Sequence, residues 1–171
     1  MTKLKVSRKK PNPGDIFIFK IATEDHYRFG RVIRTEATIG GFEGVILIYI
    51  YDLTSSSKKI IPELDINHLL VPPIGTNRQG WLKGYFETVS YRPLDKEQLL
   101  PQHHFLDFTG KYFDDNAQEV KLPVEPIGEW GIHSLGTIDN AISDALGIPW
   151  AEEPSEDLLR ALEGKPNLHR K

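Results

Sequence analysis

The chain has 171 residues, 39% of them hydrophobic and 26% charged, with a net charge of −3 and no cysteine. This composition is typical of a folded globular protein, and the lack of cysteine excludes a disulfide framework, a thiolate zinc site and a cysteine nucleophile. No run reaches the roughly 18 apolar residues of a membrane span, and no apolar signal region follows the charged N-terminus. We therefore expect a soluble, unexported, cytoplasmic protein.

Charge is divided unevenly along the chain. Residues 1–100 carry a net charge of +4, whereas residues 101–171 carry −7. Five of the cations in the first part lie within the first ten residues, which is more typical of a solvated arm than of a nucleic-acid groove. We expect a flexible arm at residues 1–12, a single domain at 13–164 and a frayed end at 165–171.

Two strand-like runs joined by a short polar turn open the domain, at residues 13–33. In the first run Phe17 and Phe19 lie on one face and Ile16 and Ile18 lie on the other. Because side chains alternate across a strand, this pattern predicts a strand that is buried on both faces.

The second run places an arginine among aromatic residues. Tyr27, Phe29 and Arg31 share one face, and Gly30 on the opposite face indicates a bulge or a close backbone approach. We interpret this hairpin as a framework element in which Arg31 pairs with a carboxylate from the C-terminal half.

Further elements follow in chain order. The patterns predict a turn at Gly40 and Gly41, a central strand at 45–51 and a strand at 84–91. A helical turn at 94–99 and a second hairpin, from 103–108 and 111–113, follow. Residues 60–71 satisfy neither the helix nor the strand pattern.

Two helices are predicted near the end of the chain. The first spans residues 137–146, with Thr137 as the N-cap and Gly147 as the C-cap, and the second begins at Ser155 and ends at Gly164. The predicted fold is α+β, with a strongly twisted, mostly antiparallel sheet or a small, partly open β-barrel and both helices packed on it.

No catalytic or metal-binding motif is evident. The histidines are scattered without metal-ligand spacing, so we expect structural or surface roles for them and no cofactor or metal. A hydrolase that uses Glu125 or Glu129 with His133 is one alternative, but isolated carboxylate pairs occur in any acidic sequence.

The acidic part of the chain is interrupted by aromatic residues. Twelve acids and only two lysines lie between residues 107 and 157, together with Phe113, Trp130 and Trp150. Carboxylates interleaved with aromatic residues suit an interface for a basic protein, since charge speeds encounter and aromatic side chains anchor the complex. A solvated surface over core tryptophans explains the same pattern equally well.

Several short motifs resemble the Immunity protein 26 family of bacterial polymorphic-toxin systems. They are GDIF at residues 14–17, YRFGRV at 27–32, PPIGTN at 72–77, GYF at 84–86, LPQHHF at 100–105, the FxDxxGxYFD-like run at 105–114, VEPIGEWGIHS at 124–134 and TIDNAISDALGIP at 137–149. The resemblance covers most of residues 13–149.

The resemblance implies a cytoplasmic inhibitor that binds a co-encoded toxin, and neither an enzyme nor a cofactor. If the toxin is a nuclease, its groove is basic and the acidic half is the natural docking region. We expect toxin contacts from Asp114, Asp115, Glu119, Glu125, Glu129, Trp130, Trp81 and Tyr85, although core packing is the expected position for at least two of the three aromatic residues. The rival class is a small β-barrel that binds nucleic acid through Arg28, Arg31 and Arg34.

Overall fold

A computed structural model describes residues 1–150 of the chain. Its nine strands are β1 (Asp15–Phe19), β2 (Tyr27–Ile39), β3 (Phe42–Ser55), β4 (Ile74–Thr76), β5 (Glu87–Tyr91), β6 (His104–Leu106), β7 (Tyr112–Asp114), β8 (Glu119–Val120) and β9 (Ile127–Glu129). The two α-helices are the short α1 (Gln79–Leu82) and α2 (Leu135–Leu146).

The strands form two separate sheets. The first sheet has the order β4-β3-β2-β1-β5 and is antiparallel throughout. The second has the order β8-β7-β6-β9, and its β6–β9 pair is parallel. The predicted α+β class with a mostly antiparallel sheet is confirmed, and the two sheets do not close into a barrel.

The first sheet separates two hydrophobic cores, because its central strands β1, β2 and β3 bury apolar residues on both faces. The first core contains Phe17, Phe19, Ile21, Val32, Ile46, Ile48, Ile50, Val71, Ile74, Trp81, Phe86, Ile138 and Ile142. The second core contains Ile16, Ile18, Phe29, Ile33, Ala37, Ile39, Val45, Leu47, Tyr49, Tyr51, Leu64 and Phe105. Helix α2 covers one face of the sheet and the second sheet covers the other. The prediction that β1 is buried on both faces is confirmed.

Gly30 allows the opening hairpin to pack closely. It lies opposite Phe17 in the β1–β2 register, and a Cβ atom at Gly30 would lie 2.2 Å from Cζ of the Phe17 ring. The predicted close backbone approach is therefore present, and the ring of Phe17 fills the space that a side chain would take.

The prediction that Arg31 pairs with a carboxylate is wrong. Its guanidinium is 1% exposed and donates hydrogen bonds to Oε1 of Gln98 at 2.7 Å, to the Arg92 carbonyl at 2.9 Å and to the Pro93 carbonyl at 2.7 Å, and none of these acceptors is a carboxylate. The two terminal nitrogens of the guanidinium make these three hydrogen bonds, all to the connection that follows β5, whereas its buried Nε has no hydrogen-bond partner among the described residues. Arg31 therefore holds residues 92–98 against the first sheet, which supports its interpretation as a framework residue.

The first eight residues lie along the domain instead of extending away from it as the flexible-arm prediction implied. The N–H groups of Leu4 and Lys5 donate to the Gly84 carbonyl, and the N–H of Ser7 donates to the Trp81 carbonyl. The N-terminal ammonium lies 2.8 Å from a carboxylate oxygen of Asp139 on α2. Backbone hydrogen bonds, which composition does not reveal, order this segment.

Helix α2 begins earlier than predicted. Its N-cap is Ser134, whose Oγ accepts a hydrogen bond from the N–H of Thr137, so Thr137 lies within the first turn. The predicted C-cap is confirmed, because Gly147 adopts φ +66°. The second predicted helix, at residues 155–164, lies outside the described residues.

The shorter predicted elements are largely present. The β6–β7 hairpin and the turn at Gly40 and Gly41 are confirmed, and 3-10 turns occupy Lys96–Gln98 and Ile66–His68. Residues 60–71, which matched neither the helix nor the strand pattern, contain one helical element, the 3-10 turn at Ile66–His68.

Candidate functional site

The second sheet presents the acidic part of the chain, and an aromatic cluster fixes it to the second core. Phe105 on β6 is fully buried, and it lies across the strands from Phe113 on β7. The ring of Phe113 stacks on Trp130, with ring centroids 4.7 Å apart and an interplanar angle of 23°. Trp130 therefore supports the sheet from its core side, and only part of its ring is open to a partner.

A polar network joins the second sheet to the first. Oδ2 of Asp115 accepts a hydrogen bond from Arg34 at 2.8 Å and lies 3.5 Å from Nδ1 of His103. Nε2 of His103 lies 2.7 Å from the hydroxyl of Tyr49, which also accepts a hydrogen bond from the N–H of Leu100. The network thus ties the turn after β7 to strands β2 and β3.

The pKa values of Asp115 and Tyr49 indicate that this network has a structural role. Burial raises the pKa of Asp115, but the hydrogen bonds and charges of His103 and Arg34 outweigh burial and lower it to about 2. Burial raises the pKa of Tyr49 to about 12, so its hydroxyl stays protonated at neutral pH. An Asp–His–Tyr series resembles a catalytic relay, but Tyr49 is 0% exposed and no substrate can reach it.

Asp114 has a role in the adjacent turn. Its Oδ1 accepts hydrogen bonds from the N–H groups of Asn116 and Gln118, both at 2.9 Å. The turn includes Ala117 at φ +61°, an unfavourable conformation for alanine. The side chains of Asp114 and Asp115 are therefore engaged in holding the fold.

Three of the predicted acidic residues have exposed carboxylates. The side chain of Glu119 is 54% exposed and lies 3.4 Å from Nζ of Lys111, and that of Glu129 is 76% exposed. Glu125 is also exposed, and it accepts a hydrogen bond from the N–H of Ile127. Residues 106–129 hold six carboxylates and two lysines, a net charge of −4. This part of the surface therefore has a negative potential.

Four exposed apolar side chains occur in the same stretch of the chain, and one of them, Leu106, pairs with Glu129 across strands β6 and β9. They are Leu106 at 39% exposure, Phe108 at 101%, Leu122 at 86% and Val124 at 47%. We call these four residues, together with Glu119, Glu125 and Glu129, the docking face. Val124 lies over the outer side of β6, because its N–H donates to Nδ1 of the buried His104. Exposed apolar groups within a polar rim are typical of protein-binding surfaces.

The four apolar members were missed by sequence reasoning. A phenylalanine or leucine in a strand-rich region is assigned to the core by default, because such residues are usually buried. The one available signal was the position of Phe108 beside Thr109 and Gly110, at the tip of a predicted hairpin.

The remaining predicted aromatic contacts lie elsewhere. Trp81 is 1% exposed and packs in the first core against Phe17 and Phe86, so it is a core residue and not a surface anchor. Its indole N–H donates to Oγ1 of Thr88. Tyr85 is half-buried beside the same cluster, and neither residue belongs to the docking face.

The arginines of the nucleic-acid hypothesis are engaged in internal contacts. Arg28 is 6% exposed, donates to both carboxylate oxygens of Glu24 and lies 3.3 Å from Asp52. Arg34 binds Asp115, and Arg31 is buried as described above. These three side chains do not form an open basic groove.

Of the two carboxylates in the hydrolase hypothesis, Glu129 is the one that contacts His133. Glu129 lies 3.3 Å from Nε2 of His133, whereas Glu125 bonds to its own loop. A hydrolase also needs a concave site that holds substrate beside such a pair. Three cavities in the described part of the protein, of about 630, 490 and 450 Å³, have neither Glu129 nor His133 in their linings.

Residues 1–150 contain neither a metal-binding cluster nor a membrane-spanning helix. In this range no group of three or more histidine, aspartate or glutamate side chains is arranged to hold a metal ion. None of its helices is long and apolar enough to cross a membrane.

Comparison with known proteins gives one family match. No curated protein and no solved structure matches the chain. Residues 12–113 match the family model of Immunity protein 26, a range that includes all of the first sheet and reaches β7 of the second. The chain therefore belongs to the Immunity protein 26 family.

Proposed function

We propose that this protein binds a cognate bacterial toxin domain and neutralises it as a stoichiometric inhibitor. Family membership supports the immunity role. The observation that carries the proposed mode of binding is the docking face, where exposed carboxylates and exposed apolar side chains lie on and beside a sheet that is fixed to the second core.

The proposed mechanism is occlusion, without a chemical step. A rigid surface covers the active site of the toxin or holds the toxin in an inactive geometry. The partner that best suits a face with three exposed carboxylates, in a stretch of net charge −4, is a basic one, and a nuclease is a natural example because its substrate groove must attract phosphate groups. Since nucleic acid lies in the cytoplasm, we infer that the inhibitor acts there.

We propose a narrower set of toxin contacts than the one predicted from the sequence. Glu119, Glu125 and Glu129 remain as contacts because their carboxylates are exposed. Asp114 and Asp115 contribute indirectly, by holding the turn that supports the face. Reversing the charge of either aspartate would disturb folding as well as binding, so these positions are poor tests of the interface.

The test is co-expression with the C-terminal domain of the toxin encoded directly upstream of this protein's gene, hereafter the upstream toxin domain. We expect growth to be restored, and the purified proteins to form a complex in which toxin activity falls to zero at a ratio of one to one. An unrelated toxin domain serves as the control and should remain lethal.

Three outcomes would contradict the proposal. They are the absence of a toxin gene upstream, failure of the two purified proteins to bind, and inhibition by far less than one equivalent with chemical change to the toxin. The last outcome would indicate an enzyme, because a stoichiometric inhibitor does not turn over.

A further inference from the structure

The tip of the β6–β7 hairpin exposes an aromatic ring completely. Phe108 has a relative exposure of 101%, the highest among the exposed large apolar side chains of residues 1–150. The preceding apolar residues on β6 are less exposed: Phe105 is buried in the second core, and Leu106 is 39% exposed. The hairpin therefore extends from an anchored base to a fully exposed phenylalanine.

Hydrogen bonds to one carboxylate brace the turn that carries this ring. Oδ1 of Asp107 accepts hydrogen bonds from the N–H groups of Thr109 at 2.8 Å and Lys111 at 2.9 Å, and also from the Thr109 hydroxyl at 2.7 Å. The N–H of Asp107 donates to the Lys111 carbonyl, and Gly110 adopts φ +84°. Because the backbone is already ordered, binding through Phe108 loses little conformational entropy.

Charge around the hairpin indicates which kind of partner fits. The carboxylates of Glu119 and Glu129 are exposed on the strands beside it, in a region of net charge −4. A second copy of the chain would bring two negative faces together, which like-charge repulsion opposes. A partner with an apolar cleft and a cationic rim complements both the ring and the carboxylates.

We propose that Phe108 is the aromatic anchor of the complex and inserts into an apolar, cation-rimmed cleft of the toxin domain. This inference rests on the proposed function and adds a specific residue and a specific partner chemistry to it. Buried aromatic anchors at the centre of an interface hold complexes together chiefly by slowing dissociation. The surrounding carboxylates act earlier, by speeding encounter.

The experiment measures binding kinetics with a catalytically inactive upstream toxin domain. Phe108→Ala should raise the dissociation constant at least about 10-fold, through faster dissociation, and leave the salt dependence of association unchanged. The thermal midpoint of the free protein should also stay unchanged, since the ring makes little contact within the chain. Tyr91→Ala is the matched control: it removes an aromatic ring that is 60% exposed on β5 and should not weaken binding.

The outcomes separate this inference from the proposed function. Binding of Phe108→Ala with wild-type kinetics would overturn the anchor and leave the immunity role intact. Failure of the wild-type protein to bind would overturn the immunity role itself. A dimer of the free protein that dissociates on Phe108→Ala would assign the ring to a second copy and overturn the proposed cleft.

Discussion

Among the glycines in the strands of the first sheet, Gly30 has the least room for a side chain. A side chain there would overlap the ring of Phe17, which is 0% exposed and packed against Trp81 and Phe86. Because that ring cannot move without disturbing the first core, Gly30→Ala should lower the free energy of unfolding by about 3 kcal/mol, the upper part of the usual range for overpacking. Urea denaturation measures the change.

Gly136 provides the matched control for this substitution. It lies in the first turn of α2, and a Cβ atom there would meet only Oγ of Ser134, at 3.8 Å. Gly136→Ala should raise stability by roughly 0.5 to 1 kcal/mol, because alanine is the better helix former. Equal effects at the two glycines would show that the ring of Phe17 does not limit the size of residue 30.

Asp115 makes the stability of the fold depend on pH in the acidic range. Burial raises the pKa of its carboxyl and the contacts with His103 and Arg34 lower it, for a net value of about 2 compared with an ordinary value of 3.8. The folded state therefore favours the ionised form. The resulting stabilisation, on the order of 2 kcal/mol, is present above about pH 4 and is lost as pH falls towards 2.

Unfolding free energies of the wild type and Asp115→Asn should therefore differ most at pH 5 and converge as pH falls from 4 towards 2. Chemical denaturation at several pH values measures this difference. Glu63→Gln, at an exposed position, should show no such convergence. A difference between wild type and Asp115→Asn that stays constant with pH would mean that the ion pair with Arg34 adds nothing to stability.

At the scale of elements, the second sheet should govern the rate at which the toxin is captured. We expect the combined change Glu119→Gln, Glu125→Gln and Glu129→Gln to slow association with the upstream toxin domain roughly 10-fold at low ionic strength, because the negative field that steers a basic partner is weakened. Dissociation should change little, and the difference should vanish in high salt, where the charges are screened. Stopped-flow binding over a range of salt concentrations measures both effects.

A control with the same change in net charge separates local steering from total charge. Asp25→Asn, Glu63→Gln and Glu97→Gln also remove three negative charges, at exposed positions outside the docking face. Association of this variant should stay near the wild-type rate. Equal slowing in both variants would assign the effect to the whole molecule and remove the docking face as the steering surface.

The elements that the sequence predicts are those with a local pattern. A period of two indicates β1 and β2 in residues 13–33, the β-branched and aromatic run at 45–51 indicates β3, and Gly147 with Pro149 indicates the end of α2. In contrast, β8 has two residues and β9 has three, and β9 pairs in parallel with β6 across a long stretch of chain. Runs this short carry no periodicity, so only tertiary pairing defines them.

The same distinction applies to the candidate site. Its acidity follows from composition, and the exposed positions of Glu119, Glu125 and Glu129 agree with it. The engagement of Asp115 by Arg34 joins residues 81 positions apart, which no spacing rule predicts. The full exposure of Phe108 is likewise a property of the folded hairpin, since residue type alone favours burial.

At the scale of the whole molecule, the first sheet couples the two cores. Neighbouring residues of β1 alternate between them, with Phe17 and Phe19 in the first core and Ile16 and Ile18 in the second. Neither core can lose its packing without disturbing strands on which the other depends. The docking face is attached to the second core through Phe105, so its rigidity depends on the stability of the whole sheet.

Shared strands predict a single cooperative unfolding transition. Trp81 lies in the first core, and Trp130 packs against the second. The double variant Trp130→Phe, Trp150→Phe keeps Trp81 as a fluorescent probe of the first core. The double variant Trp81→Phe, Trp150→Phe keeps Trp130 as a probe of the second core. Within each variant, tryptophan fluorescence and far-UV circular dichroism should give the same urea midpoint, as two-state unfolding requires. Comparison within a variant is needed because replacing the buried Trp81 lowers stability by itself. A fluorescence midpoint that precedes the circular dichroism midpoint in the Trp130-only variant would show that the second core unfolds separately, and the docking face would then rest on an independent unit.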